Sequence, residues 1–355
     1  MPAVQSPATV LVTGATGFIA CHIVQAYLDA GFTVIGTVRR APAGEYLEQL
    51  FGSGSGSGSG RFSVVVVEDL AAPDALVELA RGVDVVVHTA SPTRPKLEED
   101  PQVVIGPAVG LTLNVLRCAA APGSKVKRVV ITGSMASVAN IEKHGGPYEY
   151  TDLDWNDDAV REVETLGSGA SPLAAYSASK VLSERAAAEF VAQNNPAFDV
   201  VHVLPYYVYG SVTNDFRGFD TSTGSIRRFW NFFAHPDANA NLEACDTGFV
   251  DVRDVARTHV DVTTRPEFSG SRVFCTSHQS LAIQDFYDAY YAIPETERPT
   301  LPFSVPRGRP GAGNLHRDKF PTFSRASQEK LGWELRSLPE CIRDALPALL
   351  AKGAT

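Results

Sequence analysis

Residues 9–20 read TVLVTGATGFIA. A run of mostly β-branched residues, Thr9 to Thr13, stops at Gly14, and Gly17 follows three places on. Branched side chains suit a pleated strand, where they pack well against neighbours. Glycines permit a tight turn and a backbone approach that a Cβ would block. From Phe18 the sequence FIACHIVQAYLDAG (18–31) reads as an amphipathic helix. A strand feeding a helix through such a turn aims unpaired N–H groups and a positive dipole end at an anion. The Thr13, Gly14, Gly17, Ala20 pattern is weak alone. Its weight comes from its place after a first strand and before a helix, as binding of a dinucleotide pyrophosphate requires.

Working outward, five more β-branched runs follow: FTVIGTV (32–38), FSVVVVEDL (62–70), VDVVVHTAS (83–91), VKRVVITGS (126–134) and FDVVHVLP (198–205). Helical stretches separate several of them, YSASKVLSERAAAEFVAQN (176–194) among them. Near-continuous apolar strands with helical crossovers predict a parallel sheet covered on both faces, a doubly wound α/β fold. Past residue 206 the pattern loosens. IRRFWNFF (226–233) reads as helix, 248–265 as a short strand or turn leading into a helix, SRVFCTS (271–277) as another strand and 324–353 as a helical tail. The expected organisation is a nucleotide-binding domain over 1–205, to which 248–277 returns. A smaller, interleaved C-terminal substrate lobe would comprise 206–247 and 278–355. GSGSGSGSG (52–60) is low-complexity and expected to be a flexible surface loop.

The chain has 355 residues, 44% apolar and 20% charged, with 31 Lys and Arg against 40 Asp and Glu. A net charge of −9 disfavours a general role on nucleic acid. No apolar run is expected to span a membrane, and no basic stretch precedes an apolar one at the start, so no signal peptide is expected. Cys21, Cys118, Cys245, Cys275 and Cys341 are scattered, with no CxxC pair. Reduced thiols in a cytoplasmic protein are expected, without disulfide frame or metal site.

The second strand ends in GTVRR (36–40). An NAD site usually carries an acid there for the ribose 2′-OH. Here Arg39 and Arg40 offer guanidinium groups instead, which match a 2′-phosphate in charge and fork geometry. NADP(H) is the expected cofactor, with Arg39 the better candidate. The ordinary alternative is a solvated arginine pair. Asp69 closes the third strand and is expected near the adenine edge, or else as an ordinary strand-end acid or helix cap.

Ser134 lies where the fifth strand meets the edge at which open α/β sheets bind ligands. Tyr176 and Lys180 stand four apart in YSASK, one helical turn, so they share a face. Together these suit carbonyl reduction. A serine hydroxyl holds the carbonyl oxygen, a tyrosine donates the proton, and a lysine ammonium favours the phenolate form of a nearby phenol. Lys180 would also hold the nicotinamide ribose.

TGATGFIA, HTASP (88–92), ITGSMAS (131–137) and YSASK together resemble the extended short-chain dehydrogenase/reductases. The nearer resemblance is to the branch of dihydroflavonol reductases and yeast-type aldehyde and carbonyl reductases. PAVGLTLNVLRCAA (107–120), YEYTDLDWND (148–157), DVRDVA (251–256) and LGWELRSLPECIRDAL (331–346) extend it over nearly the whole chain. It implies a Rossmann-type fold and NADPH-dependent reduction of aldehydes or ketones, with Ser134, Tyr176 and Lys180 catalytic. It also implies Thr13, Gly14, Gly17, Phe18 and Ile19 at the pyrophosphate and Arg39 at the 2′-phosphate. Asp69 and Leu70 would lie by the adenine, Ala90 and Ser91 along the cofactor, and Pro205 beside the nicotinamide. Three positions depart from the pattern. Ser134 is preceded by Gly133 where relatives often have a second serine. The relay asparagine of many short-chain enzymes falls near Ala108, and nearby Asn114 is given no role. Ser211 in YVYGS stands where proline is common.

Pro92, Met135, Tyr206, Tyr207, Phe216, Phe229 and Trp230 are candidates for an apolar substrate pocket suited to aryl ketones, aldehydes or keto esters. Ordinary packing is the competing reading of each. His88, inside a strand, is read as structural. RPKLEEDP (94–101) is read as a solvated loop. The expected partner is a small-molecule carbonyl compound, with no nucleic acid and no membrane, acting on a monomer or homodimer. Competing functions are a hydroxysteroid-type or other alcohol dehydrogenase, and a non-catalytic NADP-binding redox sensor. A sugar-nucleotide epimerase finds no diphosphate cluster beyond Arg227 and Arg228.

Overall fold

The computed structural model describes residues 3–52, 60–91, 100–140, 146–215, 224–237 and 240–354. Pro92, Phe216, Ser53 to Ser59 of the Gly-Ser run and residues 94–99 of the RPKLEEDP stretch lie outside the described residues. The chain divides into two compact units. The first comprises 1–140, 152–204 and 256–273; the second comprises 141–151, 205–255 and 274–355.

The first unit is built on the expected sheet. Its strands are β1 (Thr9–Thr13), β2 (Thr33–Val38), β3 (Phe62–Val66), β4 (Val85–His88), β5 (Arg128–Thr132), β7 (Asp199–Pro205) and β11 (Arg272–Cys275), in the order β11-β7-β5-β4-β1-β2-β3. The pairings from β3 through β7 are parallel. Val10 to Val12, Val85 to Val87, Val129 and Val130, and Val200 to Leu204 are buried, as central strands covered on both faces must be. Edge strand β3 is only half-buried. It ends at Val66 rather than running to residue 70. The Asp69 carboxylate accepts the Ala71 N–H at 2.8 Å, and this local bond turns the chain out of the sheet.

The helices of this unit are α1 (Phe18–Asp29), α2 (Ala41–Leu47), α3 (Val77–Ala80), α4 (Gln102–Ala119), α5 (Asp157–Leu166), α6 (Pro172–Asn194) and most of α8 (Val252–Thr264). Helix α4 is long and apolar enough to cross a membrane by length and composition, contrary to the expectation from the sequence. Half of it is buried, with Val115, Leu116 and Ala119 packed on Leu11, Val86 and Val129, so it is accounted for as a core helix. Sheet order reverses between β1 and β4, which opens a crevice at their C-terminal ends.

The second unit holds short strand pairs: β8 (Tyr207–Tyr209) on β10 (Phe249–Asp251), β9 (Cys245–Thr247) on β12 (Leu281–Ala282), and β6 (Glu149–Tyr150) on β13 (Thr322–Phe323). Its helices are α7 (Gly224–Ala234), α9 (Ile283–Ala292), α10 (Ala326–Leu331) and α11 (Leu338–Ala351). The helical tail is thus two helices, separated where Gly332 adopts a left-handed φ of +76°.

Candidate active site

The turn after β1 has the shape its glycines suggest. Gly14 takes φ +66°, and a Cβ there would lie 3.1 Å from the Ala90 Cβ across the crevice. Its N–H is held by Thr37 Oγ1 at 3.1 Å, and the Ala15 N–H by the Thr37 carbonyl at 3.0 Å. Gly17 closes the turn on the Gly14 carbonyl at 3.0 Å and caps α1 with no side-chain acceptor. The first N–H groups of α1, from Phe18 and Ile19 onward, therefore keep their donor capacity for an anion, and the turn fits a pyrophosphate. Gly36, which the sequence reading passed over, is needed for this packing. A Cβ on it would fall 2.8 Å from that of Ala15.

Thr13 ties β1 to β4. Its Oγ1 accepts the N–H groups of Thr89 and Ala90 at 3.2 and 3.3 Å and lies 2.9 Å from His88 Nδ1. A hydroxyl that already accepts twice has its own proton to give, so His88 Nδ1 is the acceptor there. Burial, reinforced by the Lys180 charge, pushes His88 down to about 4, so it is neutral at pH 7 and structural, as expected.

Arg39 and Arg40 are exposed immediately past β2. Asp69 is exposed in its own turn, while Leu70 is packed in the core. Asn114, given no role from the sequence, is buried on α4. Its Nδ2 donates to the Leu70 and Ala72 carbonyls at 2.7 and 2.9 Å and so fixes the segment that follows β3.

Helix α6 starts at Ser171, whose Oγ accepts the Ala174 N–H at 3.1 Å. Ala174 and Ala178 bury a small-residue face against Ile105 of α4 and Val163 of α5. This close packing orients the next turn, which carries Tyr176 and Lys180. Lys180 is buried apart from 8% of its surface. Its Nζ donates to Ser91 Oγ at 3.0 Å and lies 5.5 Å from the centre of the Tyr176 ring. The structure thus brings together Ser91, three residues past β4, and the Tyr176–Lys180 pair. Tyr176 itself is partly exposed.

Ser134 lies two residues past β5, in a turn on which α6 packs. Its Oγ accepts the Ala136 N–H at 3.2 Å, so its own proton is available to a substrate oxygen. Capping and function are compatible here rather than exclusive. Met135, beside it, is fully buried.

The DLDWND stretch holds this turn in place. Asn156 Nδ2 donates to the carbonyls of Ala136 and Ala139 at 3.1 and 3.2 Å, and the Asn156 N–H to Ser137 O at 2.9 Å. Behind the turn, Glu184 accepts from Ser137 Oγ at 2.7 Å and from Arg272 Nε at 2.5 Å. Arg272 also donates to the Asp152 and Asp154 carbonyls at 2.6 and 2.8 Å, its guanidinium 3.9 Å over the Trp155 ring. No local pattern announces this support, because bonded members such as Asp152 and Arg272 lie 120 residues apart.

Pro205 closes β7 and is buried. In the second unit, Tyr206 and Tyr207 are partly exposed, with the Tyr206 ring 5.4 Å from that of Phe323 and the Arg228 guanidinium 5.0 Å over Tyr207. Trp230 and Phe229 are fully buried, Trp230 edge-on to Phe303 at 5.4 Å. All five cysteines are free thiols, and among the described residues no three His, Cys, Asp or Glu groups are placed to hold a metal.

Known proteins resemble this chain in sequence and in fold. Residues 10–274 match the NAD dependent epimerase/dehydratase family. The ketoreductase azaE of Aspergillus niger is 33% identical, over 97% of this chain and 98% of its own. The NADPH-dependent methylglyoxal reductase GRE2 of Saccharomyces cerevisiae is 30% identical over 96% and 98%. The solved structure of yeast methylglyoxal/isovaleraldehyde reductase Gre2 complexed with NADPH superimposes with a TM-score of 0.82. It is 29% identical and covers 97% of this chain and 98% of that one.

Proposed function

The chain belongs to the NAD dependent epimerase/dehydratase family, and we propose that it is an NADPH-dependent reductase of aldehydes and ketones in which Tyr176 is the proton donor. The observation that carries this reading is the Lys180 ammonium, buried, held on Ser91 at 3.0 Å and one turn from Tyr176. Burying a lysine is costly, and a site that binds and reduces a carbonyl gives that charge a use.

The roles follow from the chemistry of each group. A bound nicotinamide supplies the hydride that the carbonyl carbon receives. Ser134 donates its hydroxyl hydrogen bond to the carbonyl oxygen and fixes its direction. Tyr176 passes its phenolic proton to that oxygen as negative charge develops there. Lys180 stabilises the phenolate left behind and, through its remaining N–H groups, holds the nicotinamide ribose. Gly14, Gly17, Phe18 and Ile19 cradle the pyrophosphate, and Arg39 takes the 2′-phosphate. Asp69 and Leu70 lie by the adenine, Ala90 and Ser91 along the cofactor, and Pro205 beside the nicotinamide. Tyr206 and Tyr207, partly exposed, are the residues we assign to aryl ketone or keto ester substrates. Met135, Phe229 and Trp230, being fully buried, are the weaker substrate candidates. In this reading the protein is cytoplasmic, acts on a small molecule without nucleic acid or membrane, and works as a monomer or homodimer.

The test is NADPH oxidation, followed by absorbance, against a panel of aldehydes, aryl ketones and keto esters, with NADH in parallel and Tyr176→Phe as control. Carbonyl-dependent turnover with NADPH, lowered by about 10²–10⁴ in the variant, is expected. NADPH binding without turnover on any carbonyl would put the redox-sensor reading ahead. Turnover only as oxidation of hydroxysteroids or other alcohols would favour the dehydrogenase reading. Preference for NADH would remove Arg39 from the 2′-phosphate.

A further inference from the structure

Arg227 and Arg228 are neighbours on α7 with different surroundings, all within the second unit. Arg227 is exposed. The Arg228 side chain keeps 35% of its surface open, and its guanidinium lies 5.0 Å from the ring centre of Tyr207 and 5.3 Å from that of Phe232. Phe232 is one helical turn further on and is itself stacked on Phe286 at 4.2 Å, which fixes that wall. The third neighbour is Asp246 of β9, largely buried, whose Oδ1 accepts from Arg228 Nη2.

The pair is incompletely satisfied. A guanidinium can grip a carboxylate through two parallel bonds, as Arg128 grips Asp199 at 2.7 and 2.6 Å. Arg228 holds Asp246 end-on, and Arg228 Nε and Asp246 Oδ2 are buried without a hydrogen-bond partner. The buried Tyr209 hydroxyl, close enough to feel the Arg228 charge, is without a hydrogen bond too. Groups left in this state are rare in folded proteins and ask for an explanation. Most of the guanidinium's N–H donors are unused, on a partly open side chain beside Tyr207.

We propose that the Arg228–Asp246 pair sets the substrate class, Arg228 donating to the acyl oxygen of a keto ester while Asp246 turns keto acids away. The inference rests on the carbonyl-reductase reading above, in which Tyr207 meets the substrate. An ester oxygen accepts an N–H bond and brings no charge, so the pair stays neutral as it binds. A carboxylate also suits a guanidinium, but here that charge is already matched by Asp246. A second anion would stand beside a like charge on partly desolvated ground and leave the cluster negative. A plain ketone or aldehyde offers Arg228 no second oxygen and gains nothing from it.

The test measures kcat and KM of the purified full-length protein with NADPH on a matched set: ethyl acetoacetate, acetoacetate and 2-hexanone. In kcat/KM the keto ester should exceed the keto acid by about a hundredfold or more. Arg228→Met should lower the ester-to-ketone ratio of kcat/KM about tenfold or more, chiefly through KM of the ester. Asp246→Asn frees the guanidinium and should raise the acid-to-ester ratio about tenfold or more. The double change Arg228→Met/Asp246→Leu removes both charges together and should lose the ester preference as Arg228→Met does. It keeps the test decisive if Arg228→Met, with its buried carboxylate unpaired, does not fold. Equal losses on ester and ketone in the folded Arg228 variants would make the pair structural and overturn the proposal. So would an Asp246→Asn enzyme that still refuses the keto acid, or an unaltered protein that reduces 2-hexanone but not the ester. Absence of reduction of any carbonyl compound by the unaltered protein is a separate result, which would remove the reductase reading and this proposal with it.

Discussion

Strands β5 and β7 run side by side, and their two ends bury charge in opposite ways. At the N-terminal end Arg128 and Asp199 are register partners. The guanidinium, fully buried, grips the carboxylate with two bonds of 2.7 and 2.6 Å, and its third nitrogen donates to the carbonyls of Val262, Thr263 and Arg265. At the C-terminal end Glu184 and Arg272 form a similar pair, but beside them lie a cavity and two buried polar atoms without protein partners. Both ends accept the desolvation of charge. Only the N-terminal end satisfies every group with protein, and that is a structural use of charge. The C-terminal end stands where open α/β sheets place their ligands.

The comparison is most exposed at Tyr176. Tyr176→Phe removes one hydroxyl from the C-terminal end, so kcat should fall by about 10²–10⁴ while thermal unfolding hardly changes. A large loss of stability instead would mean that this end is structural too. Arg128→Met tests the other end. It leaves Asp199 buried without its partner and should cost about 3–5 kcal/mol of stability, read by urea unfolding, with kcat/KM of the folded enzyme unchanged. The double change Arg128→Met/Asp199→Leu should recover much of that. Arg39→Ala is smaller. Loss of charged hydrogen bonds worth roughly 1.5–3 kcal/mol should weaken NADPH by about ten- to a hundredfold in KM or Kd and leave NADH nearly unaffected.

The smallest effect sharpens the contrast between two histidines on one cavity wall. His88 is partnered by Thr13, whereas His202 Nε2 has no protein partner. An unfolded histidine takes up a proton below about pH 6.5, the folded His88 only near 4. Between those values the unfolded chain binds more protons, so stability falls as pH drops through that window, and this group adds no further loss below about 4. His88→Asn should flatten the window in acid unfolding curves while changing little at pH 8.

The sequence was informative wherever cause and effect are neighbours along the chain. TVLVTGATGFIA announces its strand, turn and helix, because branching, glycine freedom and helical periodicity act within a few residues. YSASK places Tyr176 and Lys180 on one face for the same reason. From these the doubly wound sheet and the expected catalytic trio could be read. Only the tertiary structure decided that Ser91 meets Lys180 across 89 residues, or that Asn114 holds the segment after β3. It alone showed that Gly36 makes room for Ala15, and that Arg272 braces Glu184 and the DLDWND segment behind Ser134. A parallel sheet joins strands distant in sequence, so the polar contacts at its edges are written in pairs of residues that no local pattern connects.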